Sequence, residues 1–459
     1  MNLVDNLNKN VFRGYDIRGK VPTDIDEDFA YTLGKSYGSF IQDKQYNKCL
    51  IAHDNRLSSP TLAKALIQGI IETGVDVVFL GQTTTPMFYY GRILKNIPTG
   101  IMVTASHNPK DENGFKFSLD DRGNSCGVEI EEFYKYTEAM KFKKGNGNLI
   151  SYKIEEEYIS LMKQSLNFGT RRIKVIFDPA NAASTIILEK ILKEYENIID
   201  YKIINAISDG TFPAHHPDPS VEANLAQLKQ AVLDEKADLG IAYDGDGDRV
   251  GVVDESGNMI KADEFMIIIW RDIVNKVTNK TAVFDVKCSM SLEEELIKIG
   301  ASPLMYRTGN SYLARKVKED NISFAGEFSG HMFFNDRFPG FDSGIYASLR
   351  LIEILSYNDK KTSQLLENVN KYYASDEIKI NSKDENKFIV VEKVKDYSIN
   401  KGYKISTIDG VRITFDSGWI LIRASNTGPD LTIRIEAKTK ELLKDIEDEF
   451  IPLIKEYNV

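Results

Sequence analysis

A chain of 459 residues is too long for one hydrophobic core and should divide into three or four domains. Its 42% hydrophobic and 27% charged residues are ordinary for a globular protein, and a net charge of -10 argues against nucleic acid or an anionic membrane as partner. The amino terminus lacks the basic and apolar regions of a signal peptide, the run Phe265 to Trp270 is too short to span a bilayer, and Cys49, Cys126 and Cys288 form no metal-binding pattern; a cytoplasmic protein with reduced thiols is expected.

In chain order, apolar spacing predicts a helix over 62–72. Ile101-Met102-Val103 then reads as a buried strand opening into Thr104-Ala105-Ser106-His107-Asn108-Pro109. The polar, glycine-rich stretch 141–148 marks a boundary, and a second helix is predicted over 187–195. Leu239-Gly240-Ile241-Ala242-Tyr243 is a second strand, leading into Asp244-Gly245-Asp246-Gly247-Asp248-Arg249. A further boundary is placed near 254–258, a helix over 292–299, and a third strand at Ile322–Ala325 leading into Gly326-Glu327-Phe328-Ser329-Gly330-His331. Short apolar runs separated by helices fit the buried strands of α/β domains, whose ligands collect beyond the carboxyl ends of the strands. From about 371, with a boundary near 372–376, strands over 411–415, 419–422 and 431–437 and a closing helix from about Lys440 suggest a smaller α+β domain. The expected domains are 1–150, 151–256, 257–370 and 371–459.

The 244–249 loop carries the strongest chemistry. Glycines let Asp244, Asp246 and Asp248 converge, and an all-oxygen cup suits Mg²⁺ better than Zn²⁺ while leaving room for a phosphate beside Arg249. A calcium loop would use Glu255 at its twelfth position, but it needs glycine where Arg249 stands and a helix where a strand precedes. Ser106, at a strand end and fixed by the following turn, is the candidate phosphate carrier; its hydroxyl needs a base or metal nearby. Among five histidines, His107 and His331 fall in the candidate loops, whereas His215 and His216, between Pro213 and Pro217, read as a structural turn. Lys287 follows a strand-like run and can reach a cleft.

The TASHNP loop at 104–109, DGDGDR at 244–249, GEFSGH at 326–331 and RASNTGPDLTIR at 423–434 resemble the four active-site loops of the α-D-phosphohexomutase superfamily, and within it the phosphomannomutase/phosphoglucomutase branch. The match runs from Phe12-Arg13-Gly14-Tyr15-Asp16-Ile17-Arg18-Gly19 to Arg434 and includes Asn113-Gly114-Phe115-Lys116, Asp209–Asp218 and Phe341-Asp342-Ser343-Gly344-Ile345-Tyr346-Ala347. The resemblance implies three related α/β domains and a smaller C-terminal α+β domain around a central cleft. It implies that Ser106 is a phosphoserine and a metal ligand with Asp244, Asp246 and Asp248, and that Mg²⁺ and a hexose 1,6-bisphosphate activator serve the reaction. Tyr15, Arg18, Lys116 and Arg249 would line the reaction centre, with His107 and His331 as further candidates for proton transfer. Lys287, Glu327, Ser329 and His331 would hold the sugar, and Arg423, Ser425, Asn426, Thr427 and Arg434 a phosphate. Arg307-Thr308-Gly309-Asn310 resembles another family loop, in which a histidine often stands at the position of Asn310; this substitution bears on hexose preference. The expected activity is exchange between hexose 1-phosphates and 6-phosphates by a monomer or homodimer. A phosphoglucosamine mutase, a metal-dependent sugar phosphatase and a non-catalytic phosphosugar-binding protein are the alternatives.

Overall fold

The computed structural model describes residues 1–383, 385–425, 428 and 430–458. The chain builds four sheets in succession. The first contains β1 (Ile17–Lys20), β2 (Lys48–His53), β3 (Asp76–Gln82), β4 (Gly100–Val103), β5 (Glu112–Ser118) and β6 (Leu149–Ser151), in the order β1-β5-β4-β2-β3-β6. The second contains β7 (Ile173–Asp178), β8 (Ile199–Ile203), β9 (Leu239–Tyr243), β10 (Val250–Asp254) and β11 (Met259–Ile260), in the order β11-β10-β9-β7-β8. The third orders β12 (Thr281–Asp285), β13 (Ser302–Tyr306), β14 (Phe324–Gly326) and β15 (Met332–Phe334) as β13-β12-β14-β15.

One four-strand unit recurs in all three. A central strand has parallel neighbours on both sides, and the last parallel strand is followed by an antiparallel return: β4 to β5, β9 to β10, and β14 to β15. Helices such as Ser59–Ile71, Ala226–Glu235 and Asn310–Glu319 make the crossovers between parallel strands. The three loops singled out in the sequence are the links into those returns, so all lie at carboxyl ends of parallel strands. β9 is buried along its whole length, which is why its sequence is continuously apolar rather than alternating.

The fourth sheet is antiparallel throughout: β16 (Tyr373–Ala374), β17 (Ile378–Asn381), β18 (Lys404–Ser406), β19 (Val411–Phe415), β20 (Gly418–Ala424) and β21 (Asp430–Ala437). Helices Lys387–Asn400 and Lys440–Tyr457 pack Val390, Val394, Ile446 and Phe450 against it to form a separate core. A larger core joins the second and third sheets and takes in Met102 of the first sheet and Phe88 of the helix Thr85–Leu94. Val286, Trp419 and Leu421 form a small apolar seam between the third and fourth domains.

Several local expectations differ from the structure. The helix expected over 187–195 is present but shorter, Leu188–Lys193, and a 3-10 turn at Ala183–Ile186 precedes it. The strand expected at 322–325 begins at Phe324, because Ile322 still closes the turn after the preceding helix by donating its N–H to Val317. The stretch 254–258 is a turn joining β10 to β11, so the second sheet runs to Ile260. The 141–148 stretch is fastened to the first domain: a Cβ on Gly147 would lie 2.0 Å from the Val75 carbonyl oxygen. No helix among the described residues is long and apolar enough to cross a membrane.

Candidate active site

Ser106 stands in the loop from β4 to β5 with φ of 52°, a left-handed conformation that costs a non-glycine residue about 1–2 kcal/mol. Two groups hold it there. Its N–H donates to Thr104 Oγ1 (2.9 Å), and its carbonyl accepts from Arg56 Nη2 (2.6 Å). Arg56, fully buried, also donates to the carbonyls of Asn108 (2.7 Å), Pro109 (2.6 Å) and Glu112 (3.0 Å), and Asp54 lies 3.2 Å from its Nε. The result aims Ser106 Oγ at Asp244, to whose Oδ2 it donates at 2.7 Å. Glycine is required opposite: a Cβ on Gly245 would come within 2.2 Å of the Ser106 carbonyl oxygen.

Asp244, Asp246 and Asp248 are fully buried, with carboxylate oxygens within 4.8 Å of one another. Asp244 Oδ1 accepts the N–H groups of Gly247 (3.0 Å) and Arg249 (3.1 Å). Asp246 meets the N-terminus of helix Thr85–Leu94, where Thr85 donates its N–H to the Asp246 carbonyl (2.9 Å) and its hydroxyl to Oδ2 (2.7 Å). Burial and the charges of Asp248 and Asp246 push the Asp244 carboxyl well above the ordinary range. Burial also opposes ionisation of Asp246, but Lys116 outweighs it and holds that group below its usual value. Asp246 Oδ1 and Asp248 Oδ1 are buried without a hydrogen-bond partner. An oxygen-only donor set with unsatisfied buried carboxylate atoms fits a hard divalent cation. The calcium-loop alternative does not fit, because Glu255 accepts from the Ser363 hydroxyl (2.6 Å) and N–H (3.1 Å).

Cations surround the cup. Lys116, on β5, places Nζ 2.7 Å from Asp246 and 2.6 Å from Asp248; burial disfavours its charge, yet the two carboxylates raise its pKa well above normal. Arg18, on β1, donates to Asp16 (2.7 Å), the Ala105 carbonyl (3.1 Å) and Asn108 (2.6 Å), which ties it to the Ser106 loop. Half-buried His107 has Nδ1 3.4 Å from Ser106 Oγ, and desolvation followed by Arg249 and Arg18 keeps it neutral well below the usual histidine range. Arg249 donates Nε–H to His331 Nε2 (2.9 Å), while His331 Nδ1 lies 2.7 Å from Asp342. Burial and Asp16 raise the pKa of Tyr15, which lines the same cleft as Ser106 and Arg249.

A cleft of about 670 Å³ takes its walls from all four domains, including Ser106, Arg249, Glu327 and Arg423. Glu327 is buried and accepts the Gly309 N–H, with Ser329 Oγ 3.5 Å from its other oxygen. Lys287 reaches the cleft and pairs with Glu377 at 3.5 Å. Asn310 lines it too, with its amide 3.4 Å from Asp342. From the fourth domain, Arg423, Ser425 and Arg434 face the cleft; Arg434 stacks on Phe328 (3.6 Å) and donates to the Lys287 carbonyl.

Arg307 is the exception. Its guanidinium stacks on Tyr312 at 4.0 Å and is not part of the cleft wall. Asn426 and Thr427 lie outside the described residues. His215 bonds Asp178 (2.9 Å), away from the cleft lining. Sequence reasoning missed Arg56, Glu377 and Asp409 altogether, and quoted Asp342 only within a matching motif. An arginine and aspartate at 54–56, just after a buried strand, was the available signal for the first.

What the four domains bring together is the machinery of an intramolecular phosphotransferase of the phosphohexomutase kind. Models described as phosphoglucomutase/phosphomannomutase alpha/beta/alpha domains I, II and III match residues 9–144, 156–257 and 261–372, and that of the family's C-terminal domain matches 366–453. The chain belongs to the phosphoglucomutase/phosphomannomutase family and is a phosphohexomutase. It is 36% identical over 443 residues to a phosphomannomutase/phosphoglucomutase of Pseudomonas syringae pv. tomato, covering 96% of this chain and 94% of the relative. Identity to a phosphoglucomutase of Neisseria meningitidis serogroup A is 34% over 454 residues, 98% of each chain. A solved phosphoglucomutase/phosphomannomutase family protein of Burkholderia thailandensis has a TM-score of 0.90 and 31% identity, covering 98% of both chains.

Proposed function

We propose that this enzyme interconverts the 1- and 6-phosphates of mannose and glucose through a phosphoserine at Ser106 and a hexose 1,6-bisphosphate intermediate. The observation that carries the reading is the aim of Ser106 Oγ at Asp244 (2.7 Å) from a left-handed backbone held by Thr104 and Arg56. In the forward step the bond from phosphorus to Ser106 Oγ breaks as one forms to the free sugar hydroxyl. The hydroxyl proton passes to a neighbouring base, and the serine oxygen leaves with the electron pair. After the bisphosphate turns over, its other phosphoryl group returns to Ser106.

Mg²⁺ is the cation proposed for Asp244, Asp246, Asp248 and Ser106, where it would neutralise charge on the transferred phosphoryl oxygens. Lys116, Arg18 and Arg249 supply fixed positive charge around the same oxygens. Lys116 is held charged by its two carboxylates, which suits it to charge neutralisation. His107, kept neutral 3.4 Å from Ser106 Oγ, suits proton exchange at that oxygen, and His331 serves the sugar side. Glu327 and Ser329 accept from vicinal sugar hydroxyls, with Lys287 and Asn310 beside them. Arg423, Ser425, Arg434 and the adjoining Asn426 and Thr427 grip the phosphate distant from Ser106. Every one of these groups comes from one chain, so monomer and homodimer are both competent. Buried free thiols at Cys49, Cys126 and Cys288 suit the reducing cytoplasm.

Incubation with glucose 1,6-bisphosphate, which is proposed to activate the enzyme by loading the serine, tests the reading directly. Mass spectrometry should find one added phosphoryl group on Ser106 and none on Ser106→Ala. Phosphate on another residue, or on none, counts against it.

A further inference from the structure

One carboxylate oxygen links the distal grip to the opposite wall of the cleft. Asp409, in the turn between β18 and β19, uses Oδ2 to accept from Arg423 Nε (3.1 Å), with Arg423 Nη2 3.0 Å away. The same oxygen accepts the backbone N–H of Thr308, in the third domain, at 3.1 Å. The next N–H along, that of Gly309, goes to Glu327, and the Thr308 hydroxyl donates to Asp285 (3.2 Å). A turn of two residues thus presents successive N–H groups to two carboxylates, one beside the sugar and one on the arginine of the fourth domain. The turn begins helix Asn310–Glu319, whose N-terminus favours negative charge.

The contact is built in from both sides. Gly410 has φ of 77°, and a Cβ there would lie 2.4 Å from the Ile422 carbonyl oxygen and 2.7 Å from Arg423 Cβ. Only glycine lets the 409–410 turn press onto Arg423. Both Asp409 and Arg423 side chains are about nine-tenths buried, so an uncompensated charge on either would be unfavourable. Other ties between the two domains run through different groups, such as Arg412 to the Val286 carbonyl (2.6 Å) and Arg434 to the Lys287 carbonyl, and none of these touches Arg423.

We propose that Asp409 is a positioning residue that couples closure of the fourth domain to the orientation of Arg423. The Arg423 contact lies within the fourth domain and the Thr308 contact crosses to the third; the arrangement in which both are made, as here, is the closed one in this proposal. A phosphosugar that fixes Arg423 therefore also favours the closed arrangement, and a bisphosphate is retained for as long as that bond holds. The inference rests on the proposed role of Arg423. Because either sugar phosphate occupies the distal place in turn, Asp409 must affect the 1-phosphate and the 6-phosphate alike.

The test compares wild type, Asp409→Asn and Asp409→Ala in both directions of the isomerase reaction, with radii of gyration of the unliganded proteins from small-angle X-ray scattering. The asparagine variant keeps size and an acceptor for Thr308, which guards against a folding failure in the alanine variant. We expect KM for both isomers to rise about tenfold or more, kcat to fall less than threefold, and more added glucose 1,6-bisphosphate to be needed for sustained turnover. The alanine variant should also have the larger radius. Unchanged KM, a rise confined to one isomer, a fall in kcat matching the rise in KM, or equal radii would overturn the proposal. If the wild type forms no isomer, the mutase reading fails instead, and the radii still decide the role of Asp409.

Discussion

Replacing Arg56 by lysine strikes the support of the nucleophile loop without touching a group that meets substrate. The guanidinium donates to four carbonyls, those of Ser106, Asn108, Pro109 and Glu112, and Asp54 balances its charge. An ammonium has three donors on one point and cannot span that set. Loss of two charge-assisted hydrogen bonds, at about 1.5–3 kcal/mol each, makes about 3–6 kcal/mol the expected destabilisation of the first domain. That exceeds the cost of about 1–2 kcal/mol for holding Ser106 at positive φ, so the loop is expected to relax. A displacement of Ser106 Oγ by about 1 Å corresponds to a rate loss of about 100-fold. Steady-state isomerase assays with thermal melts would therefore show a fall of that order in kcat, with KM nearly constant because the distal grip on β20 is untouched. An Arg56→Lys enzyme with wild-type kcat and melting temperature would refute the reasoning.

Two further outcomes are expected. Asp246→Asn should raise the Mg²⁺ concentration for half-maximal activity by about tenfold or more and lower kcat with it; a wild-type metal titration would count against the cup. His215 has a raised pKa because Asp178, 2.9 Å away, outweighs the depressing effect of burial. Its stabilisation is complete below the ordinary histidine pKa of about 6.5 and is lost as pH rises through the raised folded value. Melting temperatures from about pH 6 to 8 should fall less steeply in His215→Gln than in wild type, and parallel curves would show that the pair contributes nothing.

The acidic cup and the Ser106 loop were legible in the sequence because each is a contiguous run whose residue types have few other uses. Three carboxylates interleaved with glycine can converge on one point, as they do here, and could hold a metal ion. The strand before each loop was legible for a related reason: β9 is buried on both faces and so appears as an unbroken apolar run. The antiparallel returns were harder to read. β5 carries Asn113, Lys116 and Ser118 at buried positions, of which Lys116 serves the site, and these polar residues erase the apolar pattern of a strand. Arg56 and Asp409 escaped notice, and Asp342 was seen only as part of a motif, because their partners lie elsewhere in the sequence and several are backbone atoms that leave no trace in residue identity. Arg307 could not be placed from sequence for the same reason: its guanidinium lies over the ring of Tyr312, a contact that residue types alone do not show.

The most direct measurement supplies the enzyme with Mg²⁺ and a trace of glucose 1,6-bisphosphate, and then with mannose, glucose or glucosamine 1-phosphate in separate reactions. Hexose 6-phosphate and inorganic phosphate are both quantified. The expected result is 6-phosphate from mannose and glucose without release of phosphate. Stoichiometric phosphate release would mean that water, not sugar, receives the group from Ser106, and no isomer from any of the three sugars would contradict the proposed reaction outright.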